Sequence, residues 1–149
     1  MKVDIIEFDE SFLERSWFWL NDTDIKLLTN SPDFTREEQY KWFLRIKQSN
    51  DCLAFGVAAD SKPVGACGLK NITETDCEFW GYIGEKTHWG RGIGRIMLEQ
   101  MQALAQKKGL RSIWLKVVKS NKRAINLYER QGYRVYEESE TMIRMCKMI

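Results

Sequence analysis

The sequence predicts a mixed α/β (α+β) fold, one sheet with helices on its faces, forming a single domain over residues 1–149. Three observations predict it. Short β-branched or alternating runs and longer runs of helical period follow one another along the whole chain. The triplet Asp60-Ser61-Lys62 sits between two apolar runs and reads as the tight turn of a hairpin. A glycine-rich stretch, Trp89 to Arg95, joins a strand to a helix, as loops that carry ligands do.

In order, Val3 to Phe8 alternates as a short strand. Ser11 is expected to cap a helix through Phe12, Leu13, Trp17 and Leu20, ending at Asn21-Asp22, and Ser31-Pro32 then breaks the chain. Thr35-Arg36-Glu37-Glu38 has the form of a capping box. The helix it opens carries Tyr40, Phe43, Leu44 and Lys47 and stops near Ser49-Asn50. Strands follow at Cys52 to Ala59, Pro63 to Asn71 and Glu78 to Gly84. A helix from Ile93 to Lys108 closes on Gly109, and Ser112 to Val118 is a β-branched strand. A short helix from Lys122 to Gln131 ends at Gly132. Tyr133 to Glu137 and Thr141 to Met148 supply two last strands. No repeat, linker or low-complexity tract interrupts this order.

Apolar residues make up 44% and charged residues 30%, the balance of a folded soluble protein, and the net charge of +2 favours neither nucleic acid nor a membrane surface as partner. No apolar run approaches the roughly 18 residues of a membrane span. Met1-Lys2-Val3-Asp4 is not the start of a secretory leader, so a cytoplasmic protein is expected. Cys52, Cys67, Cys77 and Cys146 are scattered and are read as reduced, semi-buried thiols; no ligand spacing for a metal surrounds them or His88, the single histidine.

The glycine loop carries the chemistry. Gly90, Gly92 and Gly94 let the backbone turn tightly and bring N–H groups to an anion. The helix beginning at Ile93 adds unpaired donors and a partial positive charge at the same place, and Arg91 and Arg95 add formal charge. A pyrophosphate is the expected guest. The P-loop and dinucleotide alternatives fail, for there is no G-K-[ST] ending and no ribose-reading acid at the required place.

Trp89-Gly90-Arg91-Gly92-Ile93-Gly94 together with Asn121 to Tyr133, which includes Tyr128-Glu129-Arg130-Gln131-Gly132-Tyr133, resembles the GNAT superfamily of acetyl-CoA-dependent N-acetyltransferases. Trp89 stands where the family's pyrophosphate loop usually begins with Gln or Arg. Such a start is found in the branch of ribosomal-protein N-terminal and nucleotide-linked amino-sugar acetyltransferases. The resemblance implies a mixed, mostly antiparallel sheet of six to seven strands flanked by about four helices, with acetyl-CoA as donor and coenzyme A as product. It places the cofactor against Tyr82, Ile83 and Gly84, against Trp89 to Arg95, and against Asn121 and Asn126. It implies Tyr128 as the general acid for the departing thiolate and Glu78 as the candidate base, with proton loss through water as the alternative. His88 is the lesser candidate for base and is read chiefly as a packing or anion-bonding residue. Cys77 lies near the active strand, but Asp76 and Glu78 beside it disfavour its thiolate, which points to direct transfer.

The acceptor is read from the first helices. Trp17 to Asp22, with Trp42, resembles bacterial enzymes that acetylate the 4-amino group of nucleotide-linked deoxyamino sugars, with Leu20 standing where those carry Arg. Trp17, Trp19, Asn21 and Trp42 are therefore the candidate substrate residues, against the plainer expectation that such tryptophans fill the core. A protein N-terminus or lysine is the alternative acceptor, for which Asp22, Asp24 and Asp33 would line a groove. A polyamine or aminoglycoside is a third. A non-catalytic acyl-CoA-binding module is the alternative of a different class, and a monomer or homodimer is the expected state.

Overall fold

The computed structural model describes residues 1–149. One seven-stranded sheet has the order β1-β2-β3-β4-β5-β7-β6. Its strands are β1 (Val3–Glu7), β2 (Leu53–Ala59), β3 (Lys62–Lys70), β4 (Asp76–Ile83), β5 (Ser112–Val118), β6 (Arg134–Glu138) and β7 (Met142–Met148). All neighbours are antiparallel except β4 and β5, as the expected mostly antiparallel sheet requires. The β2–β3 hairpin closes Ala59 onto Lys62 through Asp60 and Ser61, both at positive φ (48° and 68°), the twist-matched two-residue turn.

Five α-helices flank the sheet: α1 (Glu10–Asn21), α2 (Thr23–Thr29), α3 (Arg36–Gln48), α4 (Ile93–Lys107) and α5 (Lys122–Arg130). The cap of α1 is Asp9, whose carboxylate accepts from the N–H groups of Ser11 and Phe12, and not Ser11. A fifth helix was not expected. Asp22 both ends α1 and accepts from the N–H groups of Asp24 and Ile25, so the residue read as a terminator opens α2. The capping box of α3 forms as expected, Thr35 and Glu38 each taking the other's N–H.

Two apolar clusters fill the two sides. α4 buries Ile93, Met97, Leu98, Met101 and Ala105 along one stripe, against Val57, Val64, Cys67, Cys77, Phe79, Ile113, Leu115 and Met145 of the sheet. On the other face Phe12, Trp19, Ile25 and Phe43 of α1 to α3 meet Phe8 and Ala66. Alternation along β4 therefore turns Cys77 and Phe79 toward α4, and Glu78, Trp80 and Tyr82 toward α1 to α3.

Candidate active site

The parallel pair β4–β5 is joined over only three rungs, Asp76↔Ser112, Cys77↔Ile113 and Glu78↔Trp114. Beyond Glu78 the strands part, and a cleft of about 1330 Å³ opens between them. Which backbone donors face it follows from the ladder. Gly84 donates its N–H to the Val64 carbonyl at 2.7 Å, and the β3–β4 register runs unshifted from Lys70↔Glu78 to Gly65↔Ile83. Hydrogen-bonded and open pairs alternate in an antiparallel ladder. Trp80 and Tyr82 thus turn their N–H groups to β3, while Gly81 and Ile83 turn theirs into the gap. The Ile83 carbonyl faces the same way and accepts from Trp89 Nε1 at 2.9 Å.

Of the three β4 positions expected to offer backbone contacts, Ile83 alone has a free N–H, and Gly81 is the donor that sequence reasoning missed. Tyr82 lines the cleft with its side chain, and burial pushes its phenol above the ordinary range against a smaller Ser16 hydrogen bond. Gly84 is corrected to a packing role. It is buried, its N–H is taken, and a Cβ there would overlap the Trp19 indole.

The glycine loop is a cradle. Gly90 and Gly92 lie at φ 75° and 83°, conformations that favour glycine, and a Cβ on either would meet nothing within 4 Å. Gly92 is the N-cap of α4 and has no side chain to bond the first-turn donors, so the N–H groups of Ile93, Gly94 and Arg95 stay open. Trp89, Gly90, Gly92, Ile93, Gly94 and Arg95 all border the cleft. Arg91 does not; it is exposed. Arg95 also pairs with Glu99 at 3.5 Å.

Lys122, Arg123 and Arg130 of α5 border the cleft too, and Arg123 lies 5.8 Å from the Trp89 ring centroid. Their signal was visible in the run Asn121-Lys122-Arg123. Asn121 borders the cleft while capping α5, its side chain accepting from the Ala124 N–H at 3.3 Å. Asn126 is a correction: Ala124, Leu127, Tyr128 and Gln131 form the cleft-facing stripe of α5, and Asn126 is exposed off it.

Glu78 stands at the apex where β4 and β5 part, 3% exposed. Asn71, in left-handed backbone at φ 49°, donates Nδ2–H to Glu78 Oε1 at 2.9 Å, and Lys70 Nζ lies 3.9 Å from Oε2. The only fully buried side-chain polar atom without a partner is the Tyr133 hydroxyl. Oε2 of Glu78 makes no hydrogen bond, and Glu78 borders the cleft. Asn71 was missed by sequence reasoning; its one cue was an asparagine, tolerant of positive φ, at the end of a strand.

Tyr128 borders the same cleft from α5. Its ring packs edge-on to Phe79 (6.4 Å, 73°) and tilted against Tyr133 (6.0 Å), and burial pushes its phenol up to about 12. His88 does not reach the cleft and lies 3.2 Å from the Thr87 hydroxyl through Nδ1. Cys77 is buried, its thiol pushed up to about 11 by burial and secondarily by Asp76. No group of three or more His, Cys, Asp or Glu residues could hold a metal ion.

On the α1 to α3 side, Trp42 borders the cleft, edge-on to Trp80 at 6.5 Å and to Phe8 at 5.6 Å. Trp17, Trp19 and Asn21 do not. Trp17 packs edge-on to Phe34 at 5.3 Å, with Arg36 4.6 Å above it. Trp19 is buried against Gly84 and Tyr82, and Asn21 donates back to the Trp17 carbonyl at 2.7 Å. The three acids expected to line a peptide groove are neutralised elsewhere: Lys86 binds Asp22 (3.0 Å) and Asp24 (2.8 Å), and Lys26 binds Asp33 (2.6 Å).

The sequence profile of the Acetyltransferase (GNAT) family matches residues 15–133. The chain belongs to the GNAT acetyltransferase family. Its GNAT relatives include the acetyltransferase PseH of Campylobacter jejuni, 23% identical over 141 residues that span 94% of this chain and 88% of that one. The crystal structure of Campylobacter jejuni PseH with acetyl coenzyme A superposes with a TM-score of 0.75 at 21% identity over 99% of both chains. A domain from Methanocaldococcus jannaschii superposes at 0.87 with 19% identity, again over 99% of both.

As a GNAT acetyltransferase the chain uses acetyl-CoA as its donor, and the cleft fits that molecule. The open N–H groups at the start of α4, with Arg95, Lys122 and Arg123, suit a pyrophosphate, and the free N–H groups of Gly81 and Ile83 suit an amide-bearing arm and its carbonyl. Acetyl-CoA supplies an activated acetyl thioester. No helix of the chain is long and apolar enough to cross a membrane.

Proposed function

We propose that this GNAT enzyme transfers acetyl directly to the primary amine of a small molecule, and that the acceptor is a nucleotide-linked amino sugar. The observation that carries the catalytic part is the apex of the cleft. There a carboxylate, oriented by Asn71 and with its second oxygen free of hydrogen bonds, shares a cavity with a phenol whose proton is held up to about 12. Glu78 takes a proton from the acceptor ammonium. Tyr128 holds a proton through the whole neutral range and gives it to the leaving sulfur. The N–H groups of Gly81 and Ile83 polarise the acyl carbonyl, an effect worth about 3–4 kcal/mol of barrier for one such donor elsewhere. With its thiol at about 11, Cys77 stays protonated and is a poor acyl carrier, which supports direct transfer.

The acceptor part is supported by the aromatic wall that Trp42, Trp80 and Phe8 present to the cleft; of the candidate substrate residues, Trp42 borders it and Trp17, Trp19 and Asn21 do not. A basic peptide is less favoured, since Asp22, Asp24 and Asp33 are each held by a lysine of this chain. Four free cysteines, Cys67 and Cys77 buried among them, support a reducing cytoplasmic setting. The test is thiol release from acetyl-CoA against nucleotide-linked amino sugars, basic peptides and polyamines. Turnover concentrated on the sugars is expected. Turnover only on peptides would overturn the acceptor, and coenzyme A bound with no turnover on any amine, the Glu78–Tyr128 chemistry.

A further inference from the structure

We infer that Lys116 of β5, which borders the cleft, and its cross-strand partner Arg144 of β7, which lies outside the cleft lining, form a seat for phosphate beside the acceptor side of the cleft. The acceptor is then a phosphorylated or nucleotide-linked amine whose phosphate is gripped by this pair. The inference rests on the acetyl-transfer reading above and deepens it.

The two residues are direct cross-strand partners, Lys116↔Arg144. Like charges so placed repel and destabilise a sheet unless an anion joins them. No anion of this chain does. Neither residue takes part in any of the chain's ion pairs within 4.0 Å. Glu137 stands opposite Arg144 on β6 without forming an ion pair with it, and the Tyr136 hydroxyl lies near Arg144.

What gathers the pair is a ring. Trp114 has Lys116 Nζ at 5.7 Å and the Arg144 guanidinium carbon at 5.5 Å from its centroid, so both cations lie against one indole. Each retains N–H donors that no carboxylate of the protein takes up. Two cations on neighbouring strands, one of them a planar fork, match phosphate oxygens.

Their place in the fold says whose phosphate it is. Ile113, Leu115, Val117 and Met145 are buried with α4, so Trp114, Lys116 and Arg144 lie on the opposite face, the face of Glu78. Helices α1 and α3 pack over β3 and β2 there and α2 reaches β5, yet Lys116 remains exposed at the border of the cleft. The donor's cations, Arg95, Lys122 and Arg123, come from α4 and α5 on the other face. Trp114 is level with Glu78 across the last β4–β5 rung, and Lys116 is two residues further toward the open end. At about 4.8 Å between strands and about 3.3 Å per residue, the backbone positions of Glu78 and Lys116 are roughly 8 Å apart. An amine at Glu78 on one side of a sugar ring leaves the phosphate at the other side within reach of both long side chains.

The test is calorimetric titration of uridine diphosphate, and separately inorganic pyrophosphate, into the full chain saturated with coenzyme A, so that the donor's own phosphate cradle is filled. Uridine diphosphate is expected to bind. Lys116→Ala and Arg144→Ala should each weaken it about tenfold, the loss of one charge-assisted bond, with coenzyme A affinity unchanged. Lys116→Thr should raise the melting temperature of the free protein, because the cross-strand repulsion is gone. A saturated protein that binds neither probe, or variants that bind as the wild type does, would overturn the seat. Acetylation of an uncharged amine as efficient as that of a phosphorylated one would also overturn it while leaving acetyl transfer in place. Probe binding that depends on Lys116, together with no turnover on any amine, would keep the seat and sink the transfer reading.

Discussion

Tyr128→Phe removes a single oxygen whose loss the fold should not feel. The Tyr128 hydroxyl makes no hydrogen bond within the chain, and the ring contacts with Phe79 and Tyr133 survive the change. Folding stability should therefore move by less than about 0.5 kcal/mol, the range of substitutions away from special features. Catalysis is another matter. With the phenol held up to about 12, on the order of one molecule in 10⁴ is ionised at pH 8, so a proton is always present to give. Losing a positioned proton donor typically costs about 10²–10⁴ in rate, or about 2.7–5.4 kcal/mol of barrier. The assay is thiol release at saturating acetyl-CoA and acceptor, with coenzyme A affinity measured separately by titration. A fall in kcat of that size with unchanged affinity is expected. A kcat within twofold of wild type would remove Tyr128 from proton transfer and leave it a packing residue.

Gly92→Glu should abolish coenzyme A binding, since it places a side chain at φ 83° and a negative charge at the mouth of the cradle; titration showing ordinary affinity would refute the cradle. Trp19→Ala should lower stability by about 3–5 kcal/mol in denaturant unfolding, as for a large aromatic removed from a core. A change in acceptor KM without that loss would restore Trp19 to the substrate residues. Alkaline unfolding follows from the phenols of Tyr82, Tyr128 and Tyr133, which burial raises above their unfolded value near 10. Their contribution is fully present below pH 10 and is lost as pH rises from 10 through the folded values, about 12 for Tyr128. Tyr128→Phe should accordingly narrow the loss of stability between pH 10 and 12, read by unfolding at a series of pH values.

Local chemistry was legible where one residue type does one job. The hairpin at Asp60-Ser61, the capping box at Thr35 and the glycine loop announce themselves because turns, caps and cradles each admit few residues. The helix α2 was not legible. Seven residues with a threonine at each end carry little periodicity, and Asp22 serves two helices at once. The free donors of β4 depend on a parity set by β3, so Gly81 and not Gly84 follows only from the register. The fates of the tryptophans are likewise tertiary: Trp42 reaches the cleft and Trp19 does not because of what packs beside each. Asn126 is the opposite case, for the helical period counted from Tyr128 already turns it off the cleft.

The hydrogen bond from Trp89 Nε1 to the Ile83 carbonyl fastens the glycine loop to the end of β4 whose open amides, in the proposed function, receive the acyl arm. The C-terminal end of β4 thereby ties the loop and the open amides of Gly81 and Ile83 to one short stretch of strand. The spacing between loop and amides is fixed before any ligand arrives, and the length of the donor's arm must agree with it. A donor analogue shortened or lengthened by one methylene, with both ends chemically intact, would seat its phosphates and miss the amides. Length is then read as strictly as charge, by a part of the protein that has no catalytic group of its own.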